Sequence, residues 1–135
     1  MFKLNLVTPE KRLVVDQELE EITLPAYAGE LNILPGHAPL MTTLEPGILS
    51  YRLKNGQTDK LAISWGYCQV SGEGVSVLAE RAVHASEVDT KADQEQLKNN
   101  EARMMTETLD DDQWEKIQKD IARLNAELDL AQGLR

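Results

Sequence analysis

Few side chains in this 135-residue chain could make or break a bond. It holds one cysteine, Cys68, and two histidines, His37 and His84. A nucleophilic thiol needs a base beside it, and a histidine metal centre needs further ligands at suitable spacing. Neither histidine has a second ligand at metal spacing. Cys68 alternates with Val70 in an apolar stretch and reads as a small buried hydrophobe. Asp110-Asp111-Asp112 carries calcium-type oxygens, but the run opens an apolar-periodic segment, where carboxylates suit a helix amino end better. Gly29-Glu30 and Gly72-Glu73-Gly74 are too short to cradle a phosphate. No phosphate loop, dinucleotide fingerprint, nucleophile elbow or His-Glu-x-x-His motif is present. No catalytic set, no metal site and no cofactor are expected.

Composition narrows the partners as well. Fourteen basic against 23 acidic residues give a net charge of −9. Nucleic acid and anionic lipid both call for clustered Lys and Arg, so neither is expected. Aromatics are only 4 %, too few for a base-stacking platform. A single cysteine excludes a disulfide framework and fits a reducing compartment. The amino end is too short and polar for a signal or transit segment. No window approaches 18 apolar residues, so no direct membrane insertion is expected. Hydrophobic residues make up 41 %, enough for a modest core.

The elements that would position any functional side chain change character near residue 86. All five prolines and all glycines but Gly133 lie before it. Residues 87–135 carry 7 basic and 13 acidic residues, and so −6 of the net charge. Two units are expected, a β-sandwich over 1–86 and a helical hairpin over 87–135. In the first, Phe2 to Val7, Arg12 to Val15, Leu19 to Leu24 and Gly47 to Leu53 read as strands. A parity shift predicts a bulge at Asp16-Gln17. Asn55-Gly56 predicts a hairpin turn into Lys60–Ser64. Tyr67–Val70 and Val75–Ala79 follow, joined by Gly72-Glu73-Gly74. Short alternating strands with frequent turns indicate a flattened antiparallel sandwich or barrel.

In the second unit, Ser86 or Asp89 is expected to cap a first helix ending near Thr108, with a thin apolar pattern. The second helix carries Trp114, Ile117, Ile121, Leu124, Leu128 and Ala131, a continuous stripe at spacings of three and four. Glu115–Lys119 and Arg123–Glu127 are expected as i,i+4 pairs on its wet side. Such a stripe beside a poorly matched neighbour either packs as an ordinary hairpin or has more than one docking surface. The remaining unusual feature is the segment Gly29-Glu30-Leu31-Asn32-Ile33-Leu34-Pro35-Gly36-His37-Ala38-Pro39-Leu40. Leu31, Ile33 and Leu34 are expected to anchor it as a loop, with Glu30 and His37 facing out to meet another protein.

Those twelve residues resemble the signature of the epsilon-subunit family of rotary F-type ATP synthases. Leu6-Val7-Thr8-Pro9-Glu10, Leu44-Glu45-Pro46-Gly47-Ile48-Leu49 and Val75 to Glu80 are similar to the family at matching distances. The resemblance implies an all-β flattened sandwich of about ten strands followed by an α-helical antiparallel hairpin. It implies a non-catalytic rotor subunit of the central stalk that couples ion-driven rotation of the c-ring to ATP synthesis. The implied partners are the gamma subunit, the c-ring and, transiently, the catalytic alpha/beta head. The implied place is the cytoplasmic side of a bacterial inner membrane, as a peripheral protein.

Residue by residue, the resemblance assigns partner binding to Glu30, Leu31, Pro35, Gly36 and His37. It assigns an inhibitory helix to Trp114, Lys116, Ile117, Lys119, Ile121, Arg123, Leu124 and Leu128, with Asp120, Glu127 and Asp129 diluting the basic residues. Val88, Asp89 and Ala92 match a family ATP motif that is degenerate here, because Ala92 stands where an arginine would meet phosphate. Trp65 replaces a small residue before Gly66, which implies local repacking. The rival reading is a free-standing β-sandwich that binds a ligand or peptide and dimerises through its hairpin.

Overall fold

Alternation of apolar and polar residues makes the first strand, β1 (Lys3–Val7), half inward: Leu4 and Leu6 are fully buried. A computed structural model describes residues 2–133; Met1, Leu134 and Arg135, the outer ends of the two expected units, lie outside them. Seven further strands follow: β2 (Arg12–Glu18), β3 (Glu21–Ala26), β4 (Gly29–Ile33), β5 (Leu40–Leu44), β6 (Gly47–Arg52), β7 (Thr58–Ser71) and β8 (Gly74–His84). They pair in the order β2-β1-β8-β7-β5-β3-β4, and β6 bonds to both β3 and β7. Every pairing is antiparallel except β1 with β8. Ile22, Leu24, Ile33, Leu49, Leu61 and Cys68 fill the space between the layers, each wholly buried.

The sandwich has eight strands among the described residues, where about ten were expected. Lys60–Ser64 and Tyr67–Val70 are one element. The 14-residue β7 pairs with β6 through Ile63 and with β5 from Gly66 onward, so it passes from one layer to the other. Gly66 permits this: a β-carbon there would lie 1.9 Å from the carbonyl oxygen of Leu78 on β8. The bulge at Asp16 is present. Its φ is +46°, and Asn5 Oδ1 accepts from its backbone N–H at 2.9 Å. That bond holds a conformation L-residues rarely take. The segment 29–40 is not a loop throughout: its first five residues form β4, and the turn is confined to 34–39.

After a short 3-10 turn (Ala85–Glu87), two helices follow, α1 (Thr90–Thr106) and α2 (Asp111–Ala131). Asp89 caps α1 by accepting from the Ala92 N–H at 3.1 Å. Asp110 caps α2 by accepting from the Gln113 N–H at 2.8 Å, and Gln113 reciprocates. These caps give both carboxylates an ordinary structural use. α1 packs on α2, and α2 packs on β7 and β6. Ile117, Leu124 and Leu128 of the stripe are buried. Leu130 joins Ala62, Val83, Ile48 and Val88 in a second small core at the foot of the hairpin.

Candidate functional site

Three surfaces are candidates for the functional site. The first is the β3–β4–β5 region that carries the family-like segment. Ile33 anchors it, fully buried, and Leu31 is half-buried. Leu34, expected as an anchor, is 50 % exposed, because alternation places it on the opposite face from Ile33 as the strand ends. Pro35 and Gly36 are exposed and His37 partly so. Gly36 has φ +87°, which tightens the turn until the His37 N–H donates to the Leu34 carbonyl at 3.1 Å. His37 Nδ1 lies 2.8 Å from the carbonyl oxygen of Ala38. Glu30 is exposed too, but it does not share that tip. Gly29 pairs with Ala26 at one end of β4 and Ile33 with Ile22 at the other, so Glu30 and His37 lie at opposite ends of the strand.

The second surface was not found from the sequence. On the outer face of the sandwich, Thr43, Tyr67, Leu78 and Val7 are direct cross-strand neighbours on β5, β7, β8 and β1. Tyr67 is 47 % exposed, Leu78 37 % and Met41 63 %. Met41 stands two residues along β5 from Thr43, on the same face. Together Met41, Tyr67 and Leu78 form an outward apolar stripe across three strands. The signal was present in the alternation: Cys68 and Val77 point in and are buried, so Tyr67 and Leu78 must point out. Burial pushes the Cys68 thiol up, in keeping with a packing role.

The third surface is α2 and what it covers. Ile117 and Leu124 face inward, Ile121 is half-buried, and Lys116 and Lys119 are exposed. Trp114, expected at the head of the packed stripe, is 41 % exposed, because the α1 end of the hairpin tip is unpacked: Met105 there is 87 % exposed. Glu115 and Lys119 pair at 3.6 Å on the wet side, as expected. Arg123 and Glu127 also pair, at 3.0 Å, but not on the wet side. Glu127 is 2 % exposed and meets Arg81 of β8 as well, Nε at 2.8 Å and Nη2 at 3.3 Å. Trp65 fills the same seam, with the Lys119 ammonium 5.6 Å from its ring centroid. That contact joins α2 to β7. Among the described residues no three or more His, Cys, Asp or Glu side chains gather as a metal site.

Residues 1–85 match the family described as ATP synthase, Delta/Epsilon chain, beta-sandwich domain. The chain is similar to the ATP synthase epsilon chain of Bdellovibrio bacteriovorus, 50 % identical over 131 residues, 96 % of this chain and 94 % of the relative. It is also similar to the ATP synthase epsilon chain of Geobacter sulfurreducens, 37 % identical over 121 residues, 90 % of this chain and 86 % of the relative. Among solved structures, a chain of the Euglena gracilis mitochondrial ATP synthase OSCP/F1/c-ring superposes with a TM-score of 0.84. That match has 22 % identity and covers 99 % of this chain and 81 % of the other. A chain of the Tetrahymena thermophila mitochondrial ATP synthase central stalk and c-ring gives 0.70 at 18 % identity, covering 96 % of both. At those identities the two structures speak to the fold.

Proposed function

The chain belongs to the ATP synthase delta/epsilon family and is a non-catalytic subunit of that complex; from this premise we propose that it works in the central stalk, fastening the rotor together. The observation that carries the reading is the 50 % identity to an epsilon chain over nearly the whole length. The sandwich, residues 1–86, binds the gamma subunit and the c-ring, and the hairpin, residues 87–135, is a detachable element. The apolar face of Met41, Tyr67 and Leu78 suits the gamma subunit, since exposed apolar area needs a cover. The Pro35-Gly36-His37 turn leads directly into β5 and extends that contact. Glu30, at the other end of β4, meets polar loops of the c-ring. Lys116, Lys119 and Arg123, with the apolar side chains of α2, reach the alpha/beta head when the hairpin leaves the sheet and hold back ATP hydrolysis.

No helix among the described residues is long and apolar enough to cross a membrane. In this reading its partners hold the chain peripherally, on the cytoplasmic side of the bacterial inner membrane. The test is recovery of the ATP synthase from membranes carrying a tagged chain, compared with the Tyr67→Glu variant. Gamma and the c-ring copurify with the parent chain. The variant, with a charge at the centre of the contact, binds gamma at least about tenfold more weakly. Equal recovery with both chains would remove this face from the assembly. Isolation of the parent chain without gamma would favour a free-standing module.

A further inference from the structure

Asp93 lies in the first turn of α1, is 6 % exposed, and its Oδ2 atom has no hydrogen-bond partner. A buried carboxylate oxygen without a donor is costly. Its neighbour is Glu127 of α2, buried more deeply and already held by Arg81 of β8 and Arg123 of α2. Two buried carboxylates against one another cannot both ionise cheaply. A single proton on Asp93 removes the repulsion and supplies a donor between them.

The other groups around the cleft do not relieve the pair. Glu10 from the β1–β2 connection, Glu80 of β8 and Asp120 of α2 line the same cleft of about 680 Å³ beside Arg81, Arg123, Trp65 and Gln96. Lys119 is engaged over the Trp65 ring. Acids therefore outnumber bases there. Since Asp93 stands on α1 and Glu127 on α2, whatever their charge costs is felt at the contact between the two helices.

We propose that Asp93 and Glu127 form a one-proton latch that holds α1 on α2, beside the Arg81 contact to the sandwich, and lets go when the proton leaves. The latch goes beyond the rotor reading and does not depend on it, since it rests on contacts within this chain.

The direction follows from the surroundings. Burial, the hydrogen bond to Glu127 and its charge raise Asp93 to about 6, against the opposing pull of Arg123 and Arg81. A raised carboxyl favours the docked state below its ordinary value of 3.8, and that advantage is lost as pH climbs through about 6. Glu127 acts the other way. Burial pushes it up, but the hydrogen bond and charge of Arg81, the Asp93 hydrogen bond and Arg123 outweigh this and hold it low. Its contribution is present above its ordinary value of 4.5 and fades in stronger acid. Docking is therefore tightest in mild acid, and it weakens about twentyfold to thirtyfold between pH 4.5 and pH 7.5.

Trp65, beside α2, reports the event in the full-length chain carrying Trp114→Phe. Its emission, followed from pH 4.5 to 8, changes with a midpoint near 6. Asp93→Asn, whose amide can donate to Glu127 without titrating, keeps the docked signal throughout. His84→Gln, which removes the imidazole three residues from Arg81 on β8, leaves the midpoint where it was. A flat profile in the parent, a midpoint that survives Asp93→Asn, or one that vanishes with His84→Gln would each overturn the latch. Should Asp93→Asn fail to fold, carboxyl-carbon NMR titration of the unsubstituted chain decides. An Asp93 midpoint near 6 supports the proposal, and one below about 4.5 ends it.

Discussion

At the scale of single residues, Gly66 is where the sandwich has least freedom. It faces Ala79 across the β7–β8 ladder at the point where β7 leaves one layer for the other, and the strand backbones there leave no room for a methyl group. Gly66→Ala must push β7 and β8 apart and break the ladder locally. The expected loss is about 3 kcal/mol or more, as for other severe overpacking, read as a lower urea midpoint at unchanged slope. Retention of wild-type stability would mean that β7 can bend without this close approach. Residue chemistry was partly legible in the sequence. The Asp89 and Asp110 caps follow from an acid preceding a helical pattern. Glu127 does not follow. An i,i+4 rule sees Arg123 beside it and assigns both to solvent. Its other partner, Arg81, stands 46 residues away and is brought in only by the docking of α2 on the sheet.

At the scale of elements, the hairpin is asymmetric. α1 buries only Asp93 among its residues, while α2 buries Ile117, Leu124, Ala126, Leu128 and Leu130 along with Glu127. The pair is thus held to the sheet through one helix. Leu124, wholly buried, is the best place to test this. Leu124→Ala removes about 2–5 kcal/mol, comparable to what holds so small an interface. Amide exchange should then accelerate across both helices while the β7 and β8 amides stay protected. Uniform acceleration over the sheet would show a single cooperative unit. The α2 stripe itself was readable, because its spacing has one period and few competitors. Its upper limit was not: Trp114 fits the spacing yet faces water, since periodicity says which face is apolar and nothing about how far the partner extends. β7 shows the complementary failure. Glycine usually ends a strand, so Gly66 divides the sequence pattern in two, whereas here it lets one strand run on.

At the scale of the whole molecule, the sandwich presents surfaces and the hairpin covers one of them. The family-like segment was recognisable because its glycines and prolines fix a turn whose residues cannot be exchanged freely. The Met41–Tyr67–Leu78 face was missed because isolated outward apolar residues are common, and only pairing across β5, β7 and β8 makes them a stripe. Deleting residues 88–135 should leave the sandwich and its assembly into the ATP synthase intact and raise ATP hydrolysis by the assembled enzyme. The rate of hydrolysis with and without the segment is the measurement, and an unchanged rate would leave the helices a structural role alone.

The parallel alignment of β1 with β8 fixes the order in which this protein can be made. Leu4 lies against Val75, about 70 residues further on, so one edge of β1 meets its partner only when the last strand of the domain is made, while β2 covers the other edge early. Closure is therefore a late event with a long loop to close, of the kind that slows folding. The helices are synthesised after it and settle onto a wall already standing, so damage to them during synthesis need not reach back into the part that was finished first.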